Sequence, residues 1–223
     1  MVFFIHELII LFYKRKNKGM KDPKEVEQIV SCLQSGGVVA LPTETIYGLC
    51  CDPRNEAALE RLFTIKQRAL SKNVICVTGS RKQIDALALI PPAFEKIATR
   101  FWPGPLTAIL PIKTEIMLSS YVIRMSNTIL LRLSPDPLIA AVTDLLGFPI
   151  VASSANLSEH DFLRSAEHIR QQFGTQVDLI IESDHDLLQI PSTVIACDSN
   201  GTLSLVREGA IPWKEIDRCQ KYG

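Results

Sequence analysis

The sequence predicts a single α/β domain, and three observations carry that prediction. Short apolar runs bounded by Gly and Pro alternate with segments whose apolar residues recur at helical spacing. No composition break, repeat, low-complexity tract or long linker divides the chain. With 223 residues and 47% hydrophobic content, one full core can be buried.

The elements follow in order. Asp22-Pro23-Lys24-Glu25 offers an N-cap Asp, Pro at the first helical position and Glu at the third. Val26, Ile29, Val30 and Leu33 keep helical spacing until Gly36 ends it. A strand is predicted at 37–41, bounded by Gly36-Gly37 and Pro42, then a helix near 55–65 with Ala58, Leu59, Leu62 and Phe63 inward. Residues 74–77 read as a strand, and 84–90 and 92–101 as helices, ending at Trp102-Pro103-Gly104-Pro105. Strands at 106–110 and 129–133 precede a helix over 138–146 stopped by Gly147, and a strand over 149–153. Ser165 caps a helix running to Phe173, and strands are predicted near 177–181, 193–197 and 203–206.

Residues 1–19 stand apart. The apolar stretch 2–13 contains Glu7 and is shorter than the roughly 20 residues a spanning helix needs. Lys14, Arg15, Lys16 and Lys18 follow it, whereas a secretory signal carries its charge first. Residues 1–19 are therefore expected to be a non-native or misassigned extension and 20–223 the working domain; a weak interfacial anchor is the second reading.

Lys+Arg and Asp+Glu balance at 24 each, so no global field draws the chain to nucleic acid or an anionic membrane. A polyanion site must then be a local cluster. The six cysteines form no C-x-x-C pair and no His-Cys ligand spacing, so reduced thiols in a cytosolic core are expected.

Polar residues crowd the ends of several apolar strands. Pro42-Thr43-Glu44-Thr45-Ile46-Tyr47-Gly48 follows the first, and the carboxyl end of a strand is where open α/β sheets bind ligands. Lys66 and Arg68 are two apart, so an extended chain would point both to one side, which suits a polyphosphate or carboxylate. Arg132 ends Ile129-Leu130-Leu131, with Thr128 before it; Ser153-Ser154-Ala155-Asn156 follows Ile150-Val151-Ala152; Ser192-Thr193 opens one strand and Arg207 closes the next. Cations at buried strand ends need an anionic partner. Singly, each segment also fits a plain structural role: a helix cap, a surface Lys-x-Arg, a salt bridge or a turn. The chain has no P-loop, no dinucleotide fingerprint and no nucleophile elbow. His6, His160, His168 and His185 fall outside these segments, so a histidine triad or zinc site is poorly supported. Chemistry by positioning and charge stabilisation fits better.

These segments, with Trp102-Pro103-Gly104-Pro105-Leu106-Thr107 and Arg207-x-Gly209, resemble the YrdC-like threonylcarbamoyl-adenylate synthases in order and spacing from about residue 22 to 212. The resemblance is to the short bacterial form. It implies a twisted open mixed sheet flanked by helices, of the YrdC/RibB-like kind, with a concave positive face. The implied reaction joins L-threonine, bicarbonate and ATP into threonylcarbamoyl-AMP and pyrophosphate, feeding tRNA modification at adenosine 37, in the cytoplasm. By resemblance Lys66 and Arg68 are the catalytic cations on the triphosphate. Thr128, Ser154, Asn156 and Arg207 complete the ATP site, and Thr45, Arg132 and Ser192 hold threonine, Arg132 on its carboxylate. Mg²⁺ accompanies the ATP, with no tightly bound cofactor and no protein metal site. Partners implied are the substrates and, further on, tRNA or a downstream threonylcarbamoyl-transferase complex, with no membrane.

The chain departs from the family pattern at four places. Ala69 and Asn73 stand where proline is usual, Val77 where long-form members carry a threonine-contacting histidine, and Ser134 where Arg-x-Pro is usual. The competing function is a non-catalytic RNA-binding accessory protein of the same fold, against which neutral net charge argues.

Overall fold

The computed structural model describes residues 22–113, 118–123, 127–198 and 200–222; the extension at 1–19, with His6, lies outside them. The described chain runs α1 (Pro23–Gln34), β1 (Val39–Leu41), β2 (Gly48–Cys51), α2 (Glu56–Ile65), β3 (Ile75–Thr78), α3 (Arg81–Leu87) and α4 (Pro92–Phe101). It continues through β4 (Leu106–Pro111), β5 (Thr128–Leu133), α5 (Pro137–Leu146), β6 (Ile150–Ser154), α6 (Ala166–Phe173), β7 (Leu179–Ile180), β8 (Thr193–Cys197), β9 (Leu203–Arg207) and α7 (Trp213–Tyr222).

Local chemistry sets the helix starts. Asp22 Oδ1 accepts from Lys24 N at 3.0 Å, Asn55 Oδ1 from Ala58 N at 3.0 Å, and Asp136 Oδ1 from Leu138 N at 2.8 Å. Gly147 ends α5 with φ +73°, a left-handed turn that costs glycine little.

The strands form one sheet in the order β7-β1-β2-β6-β3-β5-β4-β8-β9. Pairs β1/β7, β3/β5 and β4/β8 are parallel; β1/β2, β2/β6, β3/β6, β4/β5 and β8/β9 are antiparallel. The sheet is thus mixed and flanked by helices. On one face α2, α3, α4, α6 and α7 meet Leu49, Cys51, Cys76, Leu131 and Val151. On the other, α1 and α5 cover Val39, Leu41, Cys50, Val77 and Ile150. Among the described residues no helix covers the rest of that second face, and the site occupies it.

Several expectations need correction. β2 was not anticipated, because Gly48-Leu49-Cys50-Cys51 reads as the tail of a polar turn. All four residues are buried, so no alternation marks them as a strand. Residues 42–47 therefore close a β1–β2 hairpin, Leu41 opposite Gly48. α7 was also missed: its exposed faces are polar, and Ile216 is its fully buried residue. The helix expected at 84–90 starts at Arg81 and stops before Ala88, which instead bridges Ile112. The strand expected near 177–181 shortens to Leu179–Ile180. The chain at Lys66 and Arg68 is not extended. Lys66 ends α2 in helical conformation and Gln67 turns at φ +49°, because the helix termination must reverse the chain there. Among the described residues, no helix is long and apolar enough to cross a membrane.

Candidate functional site

A cleft of about 600 Å³ lies over the uncovered part of the sheet. Its floor is built by cross-strand neighbours: Gly48 beside Ser154 and Ile75 between Ala152 and Leu130, with Leu130 paired to Ile109. Small residues on β2 and β6 keep the floor low, and the size is that of a small-molecule site. The walls come from the loops after β1, α2 and β6, from the segment before β8 and from the end of β9.

One end is built around Arg132, the fifth residue of β5. It is 5% exposed and donates from Nη1 to Thr45 Oγ1 at 3.0 Å. Thr45 is itself buried and shares a 2.9 Å hydrogen bond with Thr43 Oγ1. Glu44 Oε1 lies 3.5 Å from Arg132 Nε. Ser192 Oγ shares a 2.9 Å hydrogen bond with Thr107 Oγ1, on the strand beside Arg132. Arg207 Nη2 donates to Ser192 O at 2.8 Å. Arg132 and the hydroxyls of Thr43, Thr45 and Ser192 thus frame a space suited to a small carboxylate, with Arg207 beside it.

The other end is the turn leaving β6. Arg68 donates from Nη1 to Ser153 Oγ at 2.7 Å and from Nη2 to Asn73 O at 2.6 Å. Asn73 uses its carbonyl here, so its place in a family proline position leaves that contact available. Ser154 Oγ donates to Asn156 Oδ1 at 2.7 Å, and Asn156 Nδ2 donates to His160 O at 2.5 Å. Lys72 Nζ reaches across the mouth to Glu159 at 3.1 Å.

Of the residues expected from sequence, Arg68, Ser154, Asn156, Arg207, Thr45, Arg132 and Ser192 all line the cleft. Lys66 and Thr128 do not. Lys66 lies beneath the wall, 1% exposed, and burial beside Arg68 pulls its pKa down to about 7. Thr128 pairs with Pro111 at the opposite end of β5 from Arg132, roughly 13 Å along the strand. His160, which falls outside every segment singled out in the sequence, lines the cleft with Asp161 and Phe162. No local signal marks them; the clue is that they follow Asn156 closely enough to be folded back by it. Val77 lines the cleft as an apolar floor residue. Among the described residues, no group of three or more His, Cys, Asp or Glu is placed to hold a metal ion. All six cysteines are free thiols.

Fold and site together define an open-sheet α/β protein with a cleft that carries arginine side chains at both ends. Comparison with known proteins sharpens the class. The family described as Telomere recombination, covering Sua5, YciO and YrdC, matches residues 31–209. A protein of Vibrio vulnificus named threonylcarbamoyl-AMP synthase is 36% identical over 159 residues, 70% of this chain and 84% of that protein. The structure of P. abyssi Sua5 complexed with L-threonine superposes with TM-score 0.82 at 30% identity, over 90% of this chain. This chain spans only 58% of that longer protein. The E. coli YciO structure matches with TM-score 0.78 at 28% identity, over 88% of this chain and 95% of that one. The chain belongs to the Sua5/YciO/YrdC family.

Proposed function

We propose that this chain is an L-threonylcarbamoyladenylate synthase, a nucleotidyltransferase that makes threonylcarbamoyl-AMP and pyrophosphate from L-threonine, bicarbonate and ATP. The observation that carries this is the two-ended cleft, with buried Arg132 and Thr45 at one end and Arg68 with the Ser153–Asn156 turn at the other. The naming of relatives at 36% identity as threonylcarbamoyl-AMP synthase supports the same reading.

In this reading Arg132 pairs with the threonine carboxylate, with Thr45 and Ser192 orienting it, while Arg68, Ser154, Asn156 and Arg207 hold ATP. The threonine nitrogen takes up bicarbonate carbon with loss of water, forming a carbamate. A carbamate oxygen then attacks the α-phosphorus, and the bond to the β-phosphate oxygen breaks to release pyrophosphate. Arg68 stabilises charge gathering on that leaving group, and Mg²⁺ enters as the ATP chelate to share it. The product serves formation of N6-threonylcarbamoyladenosine at tRNA position 37, in the cytoplasm, with tRNA or a transferase complex downstream. A non-catalytic RNA-binding role is less well supported, since the cations gather inside a cleft and not along an exposed stripe.

The test is pyrophosphate release from Mg·ATP, with threonine and bicarbonate each present or withheld. Release that requires both is expected. Release indifferent to threonine would overturn the substrate assignment.

A further inference from the structure

Lys66, like Thr128, is expected at the nucleotide but does not line the cleft. Its ammonium carries three N–H donors and no acceptor. Ser154 O takes one, Asn156 O another at 2.8 Å, and Asn156 Oδ1 the third at 3.0 Å. All three oxygens belong to the turn that leaves β6, and none is left over to meet a ligand. Its own carbonyl accepts from Ser158 N at 2.9 Å, so the same residue grips both sides of that turn.

The electrostatics run the same way. A buried ammonium is expensive unless surrounded by acceptors, and three oxygens pulled together repel one another unless a cation sits among them. Each therefore requires the other. Burial and the nearby Arg68 charge bring the Lys66 pKa near neutrality, and a neutral amine would offer two protons to three oxygens. Arg68 lies two residues on and lines the cleft, with Ser153 and Asn73 as partners.

We infer that Lys66 is a positioning residue for the nucleotide end of the cleft: it holds Ser154 and Asn156 in place from beneath and contacts no phosphate, a role left to Arg68. The nucleotide in that statement rests on the function proposed above. The shaping of the turn does not.

Two measurements test this. The first is amide hydrogen exchange on the ligand-free protein, comparing wild type, Lys66→Met and Arg68→Ala. Ala155 N bonds to Tyr47 O and Leu163 N to Ala155 O, both at 2.8 Å, so they report the turn. Exchange at Ala155, Ser158 and Leu163 should rise about tenfold or more in Lys66→Met and stay near wild type in Arg68→Ala. Unchanged protection in Lys66→Met would overturn the inference. The second is a crystal structure of wild type with Mg·ATP, which needs no variant to fold. Nζ should keep its three oxygens; a phosphate oxygen at hydrogen-bond distance from Nζ would refute the inference. Lys66→Arg separates the roles in solution. A phosphate cation would be largely replaced by Arg, whereas the closed space beneath the turn should make Arg lose ATP affinity as Met does, by about tenfold, with wild-type threonine affinity. Retained ATP affinity in Lys66→Arg would also refute it. If wild type binds no ATP, the function proposal fails and hydrogen exchange still decides the positioning role.

Discussion

Ser134 Oγ donates a 2.6 Å hydrogen bond to Glu44 Oε2, tying the loop after β5 to the hairpin loop after β1. The other carboxylate oxygen, Oε1, faces Arg132 Nε at 3.5 Å, and neither of those two atoms has a hydrogen-bond partner among the described residues. A proline at 134, usual in the family that this chain resembles, has no hydroxyl to give. Ser134 therefore anchors the carboxylate that faces Arg132. Ser134→Ala should raise the apparent threonine KM by roughly 2- to 10-fold, the worth of one net hydrogen bond. ATP affinity should hold, and titration with each substrate separately checks it.

Arg132 tests the threonine end directly. A lysine keeps the charge but loses the planar fork that matches a carboxylate. Arg132→Lys should raise threonine KM about tenfold or more with ATP affinity near wild type. A lower melting temperature with unchanged threonine affinity would make Arg132 a structural ion pair with Glu44 instead.

Gly209 lies where the chain after β9 passes close to the 191–192 backbone. A Cβ there would overlap the Pro191 carbonyl oxygen and sit 2.6 Å from Ser192 C, both rigid backbone. Gly209→Ala should cost about 1–3 kcal/mol of stability, the range for overpacking, and should lower activity by displacing Ser192. Denaturant melts and threonine titration read the two effects; wild-type values for both would show that the backbone yields freely.

Alkaline pH should weaken the fold through its thiols. Burial pushes Cys50 and Cys76 from 9.0 up to about 12. The folded state thus favours the protonated thiol, so this stability is fully present below pH ~9 and is lost as pH rises toward 12. Lys66, pulled down from 10.5 to about 7, acts in the opposite sense, gaining stability as pH rises between those values. Comparing wild type with Cys76→Ala cancels the lysine. The variant should show a shallower fall in melting temperature from pH 9 to 11, and parallel curves would exclude the thiol.

Most helix starts and most strands were legible in the linear sequence, because their causes are local. Asp22, Asn55, Asp136 and Ser165 accept from amides two or three residues ahead, and apolar spacing marks which face each helix buries. The polar segments after the strands could also be read as a site, since seven of the nine residues expected in it line one cleft. Their roles and surroundings depended on contacts distant in sequence. β6 pairs between β2 and β3, which brings the Ser153–Asn156 turn to Lys66, some ninety positions earlier in the chain. Burial then turned Lys66 from an expected phosphate ligand into a buried post, Ser134 met Glu44, and His160 folded into the wall. β2 escaped notice because a strand buried on both faces has no alternation, and strand direction is what sets Thr128 at the far end of β5 from Arg132. Capping and periodicity act between near neighbours and can be read in order along a chain. Which strand lies beside which, and which charge loses its water, is settled by competition among packings of the whole molecule.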